Sequence, residues 1–85
     1  MSRRILIAGN WKMNMRAESG ASLAKGIVDA VGKSPAVEVV LCPPSVYLSG
    51  VADAVVGTPV ELGAQNLYAA EDGAFTGEVN ASMLT

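Results

Sequence analysis

Asn10 and Lys12 are the residues of this sequence best suited to chemistry on an anion. They follow a short apolar run and lie two positions apart, so in an extended backbone their side chains would point the same way. An amide beside an ammonium group can bind an anion or stabilise a developing oxyanion. The spacing alone is equally compatible with a turn-forming asparagine followed by a solvated surface lysine.

Three short apolar runs predict the strands that must position this pair. Residues 5–8, 37–42 and 60–64 are rich in β-branched side chains and are bounded by turn residues. Runs that are apolar on both faces are typical of a parallel sheet covered on both sides. The carboxyl ends of parallel strands form the ligand-binding edge of such a sheet. We therefore expect Asn10 and Lys12 at that edge.

Two helices are predicted between the strands. In the first, apolar residues recur at helical spacing from Leu23 to Val31, and Gly32 follows as a stop signal. The second begins after a pair of prolines with Ser45 as its N-cap, and it ends near Gly57. The order strand, helix, strand, helix, strand indicates right-handed βαβ units and predicts an α/β fold.

The segment after the third strand, residues 65–79, has neither helical nor strand periodicity. A stretch of this length inside a compact domain is usually functional or disordered. Phe75 lies at its otherwise polar tip, where a large apolar side chain suits an anchor buried in a partner; a flexible surface loop is the alternative. Asn80 then predicts the N-cap of a further helix.

Composition excludes several classes of protein. The chain has 85 residues, of which 51% are hydrophobic, and a net charge of -2, which is typical of a globular protein. Without clustered Lys and Arg, nucleic acid is not an expected partner. No apolar run approaches the roughly 7–15 residues of a signal-peptide core or the roughly 20 of a membrane helix, so we expect no membrane partner and a cytoplasmic location. One cysteine and no histidine predict no metal site.

Several blocks of the sequence resemble the triosephosphate isomerase family. Residues 9–14, Gly-Asn-Trp-Lys-Met-Asn, resemble the family's opening motif without a mismatch. Residues 63–66, Gly-Ala-Gln-Asn, and 73–79, Gly-Ala-Phe-Thr-Gly-Glu-Val, resemble two further blocks in the right order and at the right distance. Residues 42–44, Cys-Pro-Pro, resemble the end of the family's second strand. The resemblance covers essentially the whole chain.

This resemblance implies a partial (β/α)8 TIM barrel, with the order β-α-β-α-β followed by a long loop and the start of a helix. Residues 1–85 would form the N-terminal part of a single barrel domain rather than a complete domain. The full-length enzymes interconvert dihydroxyacetone phosphate and D-glyceraldehyde 3-phosphate in glycolysis and gluconeogenesis, with no metal or cofactor. By resemblance, Lys12 attracts the phosphate dianion and stabilises charge on the substrate's carbonyl oxygen. Asn10 donates to the same oxygen and orients Lys12.

The resemblance also gives the segment 65–79 a role as the loop that joins two subunits of a homodimer in the full-length protein. Phe75, Thr76, Gly77 and Glu78 would lie at this interface. Thr76 would approach the catalytic asparagine and lysine of the second subunit. Glu78 would pair with an arginine of that subunit, although a solvated charge is an equal alternative.

Two parts of the family's active site have no counterpart in this chain. The sequence contains no histidine, and none of its five glutamates and three aspartates matches the family's base. A full barrel takes about 250 residues, and this chain would supply roughly three of its eight strands. We therefore expect the chain alone to be inactive. The alternative function is a non-catalytic barrel fragment that associates with a complementary chain. A doubly wound nucleotide-binding domain is a weaker alternative, because no Gly-x-Gly-x-x-Gly motif follows the first strand.

Overall fold

The computed structural model describes residues 3–33 and 36–85. Within these ranges the strands and helices alternate in the predicted order. The elements are strand β1 (Leu6–Asn10), helix α1 (Ala17–Val31), strand β2 (Glu38–Cys42), a 3-10 turn (Ser45–Tyr47), helix α2 (Leu48–Val55), strand β3 (Glu61–Leu62) and helix α3 (Ala81–Leu84). The predicted α/β class is confirmed.

The strands form one parallel sheet in the order β1-β2-β3. Asn10, at the end of β1, lies opposite Cys42, at the end of β2, and Leu41 lies opposite Leu62 of β3. Since every strand runs in the same direction, all the carboxyl ends meet at one edge of the sheet. The segment that follows each strand begins at this edge. Lys12 follows β1 and therefore lies there.

Helix α1 ends as the sequence predicts. Gly32 adopts a φ of 78°, a left-handed conformation that is open to glycine at little cost. Its backbone N–H donates to the carbonyl oxygen of Val28 at 3.1 Å, which satisfies a carbonyl in the last turn. The buried face of the helix includes Gly20 and Ala24.

The predicted N-cap at Ser45 is wrong. Ser45 is the first residue of the 3-10 turn that precedes α2, and neither the turn nor the helix begins with a side-chain cap. Pro44 holds an extended conformation, and its carbonyl oxygen accepts a hydrogen bond from the backbone N–H of Tyr47 at 2.9 Å. The 3-10 turn begins directly after Pro44, so α2 begins only at Leu48.

The core lies where α1 and α2 pack against β2 and β3. Its buried members are Trp11, Ala24, Leu41, Val51, Val55 and Val60. By contrast, Leu6 and Ile7 of β1 are 56% and 54% exposed, although their side chains point to opposite faces of the sheet. The expectation that both faces are covered is therefore wrong for β1. The described helices lie over the neighbouring strands and leave this edge strand open.

Candidate active site

Asn10 and Lys12 lie together at the carboxyl edge of the sheet. Asn10 is the last residue of β1, and Lys12 is the second residue beyond it, outside any helix. Asn10 Oδ1 accepts a hydrogen bond from the backbone N–H of Lys12 at 2.9 Å. Both residues are exposed. The predicted location of this pair is confirmed.

The backbone at Lys12 is not extended, so the argument that alternation places its side chain beside that of Asn10 is wrong. Lys12 has a φ of 56°, in the left-handed region that few residues other than glycine adopt. This conformation costs about 1–2 kcal/mol relative to the right-handed one. Strained residues of this kind cluster at functional sites, where the surrounding structure holds them in place.

Trp11 anchors the segment that carries Lys12. Its side chain is only 8% exposed, and its backbone N–H donates to the carbonyl oxygen of Cys42 at 3.1 Å. The indole lies so close to Gly20 of α1 that a Cβ there would come within 3.3 Å of the ring. Asn14 Nδ2 donates to the Trp11 carbonyl oxygen at 2.9 Å. The residue before Lys12 is thus fixed to both β2 and α1.

Gln65 also reaches this edge, although the sequence predicted a place for it only in the loop 65–79 and not at the site. Its Nε2 donates to the carbonyl oxygens of Lys12 and Cys42, each at 2.9 Å. The glutamine follows β3, so the ends of all three described strands meet in one hydrogen-bonded cluster. Its position directly after the third predicted strand was the available signal, because that position places a polar side chain at the carboxyl edge.

The ammonium group of Lys12 has no ion-pair or hydrogen-bond partner among residues 3–33 and 36–85. Arg4 and Glu38 form an ion pair of 3.9 Å near the amino ends of β1 and β2, with both side chains about half exposed. Such a pair adds little stability and leaves the carboxyl edge unaffected. The positive charge of Lys12 is therefore available to an anionic ligand.

The loop formed by residues 65–79 has internal contacts of its own. At its base, the backbone N–H of Tyr68 donates to the carbonyl oxygen of Val79 at 2.7 Å. The rings of Tyr68 and Phe75 pack with their centroids 4.7 Å apart at an angle of 42°. This aromatic pair gives the loop a small apolar centre, so the loop is not held by its two ends alone.

The tip of the loop is exposed, as the sequence predicts. Phe75 remains 44% exposed despite its contact with Tyr68, and Thr76 is exposed. The backbone N–H of Glu78 donates to the Phe75 carbonyl oxygen at 3.0 Å, which closes a turn through Gly77. Gly77 has a φ of 85°, so a side chain at that position would be strained.

Asn80 holds the far end of the loop and begins α3. Its Oδ1 accepts from the backbone N–H of Met83 at 3.1 Å, which confirms the predicted N-cap. Its Nδ2 donates to Asp72 Oδ1 at 2.8 Å, and the residue is only 7% exposed. Both ends of the side-chain amide are thus satisfied, and the loop is joined to the start of the helix.

A groove of about 410 Å³ lies between α2, β3 and α3. Its wall includes Leu48, Ala52, Leu62 and Leu84, and it does not include Asn10 or Lys12. Within residues 3–33 and 36–85, no group of His, Cys, Asp and Glu side chains could bind a metal ion. In the same part of the chain, every helix is too short or too polar to cross a membrane.

The parallel βαβ units, with an amide and an ammonium group at the carboxyl edge of the sheet, are consistent with part of an α/β barrel. The family model of triosephosphate isomerase matches residues 5–85. The chain therefore belongs to the triosephosphate isomerase family.

Individual relatives agree with this assignment. The chain is 51% identical over 82 residues to a triosephosphate isomerase of Alkaliphilus oremlandii, covering 96% of this chain and 33% of the relative. It is 52% identical over 81 residues to one of Hahella chejuensis, covering 95% of this chain and 32% of that relative. A third, from Magnetococcus marinus, is 46% identical over 83 residues, with coverage of 96% and 32%. The chain thus spans about a third of the length of these relatives.

Proposed function

We propose that the full-length protein carrying this segment is a cytoplasmic triose-phosphate isomerase that interconverts dihydroxyacetone phosphate and D-glyceraldehyde 3-phosphate in glycolysis and gluconeogenesis. The observation that carries this proposal is the exposed ammonium group of Lys12, which lies at the carboxyl edge of β1 without an ion-pair partner among the described residues. Family membership supports the reaction, because the relatives bear the name of this enzyme. The reaction needs no metal or cofactor.

The chemistry requires a group that stabilises negative charge. Removal of a proton beside the carbonyl of a triose phosphate moves charge onto the carbonyl oxygen, and a preorganised cation lowers the energy of that state. Lys12 is the residue that we assign to this oxygen and to the phosphate dianion. Its charge serves both binding and catalysis.

Asn10 is positioned to support the same oxygen. Its Oδ1 already accepts the backbone N–H of Lys12, so the amide has a defined orientation. The Nδ2 group has no partner among the described residues and keeps two N–H donors for the substrate. Asn10 thus orients the Lys12 backbone through one end of its amide and offers donors at the other.

The remaining catalytic groups would come from the two thirds of the relatives' length that this chain does not span. The established acid–base pair of triosephosphate isomerase is a glutamate base and a neutral histidine. The present sequence has no histidine. In this proposal the segment supplies the electrostatic half of the site, and the rest of the barrel supplies proton transfer.

The proposal predicts isomerase turnover by the full-length protein in both directions. A coupled assay would follow the formation of each triose phosphate from the other at neutral pH. Turnover should survive exhaustive treatment with a metal chelator, because no step uses a metal. A pure, folded full-length protein without turnover in either direction would reject the proposed function.

We also propose that the full-length protein is a homodimer joined by the loop 65–79. Phe75 exposes 44% of its surface at the loop tip next to Thr76, and large apolar groups at such tips are typical of interface anchors. The Tyr68–Phe75 contact and the turn through Gly77 preorganise the tip, which lowers the entropy cost of association. Glu78 is exposed and available to a cation of the second subunit.

Shortening this loop should convert the dimer into a monomer. The backbone N–H of Tyr68 lies 2.7 Å from the carbonyl oxygen of Val79, so a short glycine linker can replace residues 70–77 without moving the loop base. Light scattering at micromolar concentration should then give the mass of one subunit. The single substitution Phe75→Ala is a milder variant of the same test and should raise the dimer dissociation constant. A shortened variant that still has the mass of a dimer would exclude this role for the loop.

A further inference from the structure

We propose that Gln65 is a positioning residue that fixes the backbone of Lys12 and thereby aims its ammonium group at the substrate. This inference rests on the proposed isomerase function of the full-length protein. A residue that follows β3 would thus position a catalytic residue that follows β1.

The two hydrogen bonds of Gln65 define which end of its amide faces the site. Both partners, the backbone oxygens of Lys12 and Cys42, lie 2.9 Å from Nε2, and carbonyl oxygens only accept hydrogen bonds. The NH2 group of the amide must therefore face them and use one N–H for each. No other side-chain group of the same length offers two neutral donors from one atom.

Together with Asn10, Gln65 binds both backbone polar groups of Lys12. Asn10 Oδ1 accepts its backbone N–H, and Gln65 Nε2 donates to its backbone carbonyl oxygen. Both polar groups of the residue are thus held by side chains while its φ remains at 56°. Because φ fixes the direction of the Cα–Cβ bond, relaxation of this backbone towards a common conformation would redirect the whole lysine side chain.

Contacts with β2 hold the segment that carries Gln65 in place. The backbone N–H of Gly63 donates to the carbonyl oxygen of Leu41 at 2.9 Å, which joins the segment before Gln65 to β2. A Cβ at Gly63 would lie 3.1 Å from Cys42 Sγ, so the two strands are in close contact at this point. The Cys42 carbonyl oxygen also accepts the backbone N–H of Trp11, next to Lys12. Gln65 and Trp11, the residue before Lys12, are therefore bound to the same carbonyl oxygen.

In a purely structural role, Gln65 would only join the segment after β3 to the end of β2 through its hydrogen bond to Cys42. Such a role would not act on catalysis through Lys12. The two roles differ in one measurable respect. If Gln65 acts through Lys12, its removal should matter only while the lysine is present, whereas a structural link should affect activity equally with or without it.

The test is a double-mutant cycle in the full-length enzyme. Gln65→Met keeps the length of the side chain and removes both donors. We expect it to lower kcat/KM about 10–100-fold, since displacement of a reacting group by about 1 Å costs on the order of 100-fold. In a Lys12→Ala background the same substitution should change kcat/KM less than about threefold. Equal losses in the two backgrounds, or no loss in the wild type, would overturn the inference.

Thr58→Val is the matched control for stability. Thr58 Oγ1 donates to the Val55 carbonyl oxygen at 2.7 Å and accepts from the backbone N–H of Val60 at 3.2 Å, so this variant also loses two hydrogen bonds, but before β3 rather than after it. It should lower Tm like Gln65→Met and leave kcat/KM unchanged. A loss of kcat/KM in Thr58→Val as large as that in Gln65→Met would assign both effects to stability and overturn the positioning role.

A second variant, Gln65→Glu, tests the inference if Gln65→Met fails to fold. Gln65→Glu keeps the shape of the side chain but presents carboxylate oxygens to two carbonyl oxygens, so it should lose at least as much activity as Gln65→Met. Full activity in this variant would overturn the inference. The proposed function fails separately, through an inactive wild type. An active wild type that needs Lys12 and tolerates every change at Gln65 would reject the positioning role alone.

Discussion

In the full-length protein that carries this segment, replacement of Lys12 by alanine is expected to lower the proposed isomerase kcat/KM by at least about 100–1,000-fold. Loss of one preorganised group that stabilises a developing oxyanion typically costs about 2.7–4 kcal/mol. Lys12 would also contribute to binding of the phosphate dianion, so KM should rise while kcat falls. Both changes should be visible in a coupled assay over a range of substrate concentrations.

The loss should reflect charge rather than folding. Alanine has a Cβ and meets the same steric restriction as lysine at a φ of 56°, so the substitution leaves the backbone preference almost unchanged. The Lys12 side chain makes no hydrogen bond or ion pair within the described residues, and its removal leaves no buried group without a partner. The variant should therefore unfold within about 0.5 kcal/mol of the wild type, as is usual for surface substitutions.

Lys25→Ala provides the matched control for this substitution. Lys25 is an exposed lysine of α1, so its replacement removes the same charge at a distance from the carboxyl edge. Its kcat/KM should equal that of the wild type. A Lys12→Ala enzyme with unchanged kcat/KM would mean that Lys12 is a solvated surface lysine and would remove the observation on which the proposed function depends.

The fold could be predicted from local signals wherever those signals act within one element. The apolar runs located all three strands, and Gly32 located the end of α1, because a glycine with a φ of 78° terminates a helix by itself. The N-cap prediction at Ser45 failed because Ser45 is already the first residue of a 3-10 turn, and residue type alone does not distinguish that position from a cap. The exposure of β1 depends on which elements cover it, and its own sequence does not contain that information.

The site could be predicted only in part, for the same reason. Asn10 and Lys12 were identified because they lie in one short motif after a strand. The left-handed backbone of Lys12 was missed, since an extended chain is the default after a strand and nothing in the residue type indicates otherwise. Gln65 was missed because its partner at Lys12 lies 53 positions away, and only the assembled sheet brings them together.

The 85-residue chain by itself is expected to show no isomerase turnover above a buffer blank. It contains one electrostatic stabiliser, whereas the reaction also needs a base and an acid that each contribute about 10²–10⁴-fold. No histidine exists in the sequence to fill either role. Glu38, one of its carboxylates, pairs with Arg4 at the other end of the sheet from Lys12. Binding energy from the parts of the site outside this segment is missing as well.

The measurement must distinguish inactivity caused by an incomplete active site from inactivity caused by an unfolded chain. Leu6 and Ile7 are more than half exposed, and an exposed apolar edge strand favours association, so the chain should be assayed at low micromolar concentration with its helix content checked by circular dichroism. The full-length enzyme under the same conditions is the positive control. A chain that is helical and inactive supports the assignment of proton transfer to residues outside this segment. Turnover above the blank that disappears on Lys12→Ala would show that the 85 residues already contain a complete site, and would contradict the division of the active site proposed above.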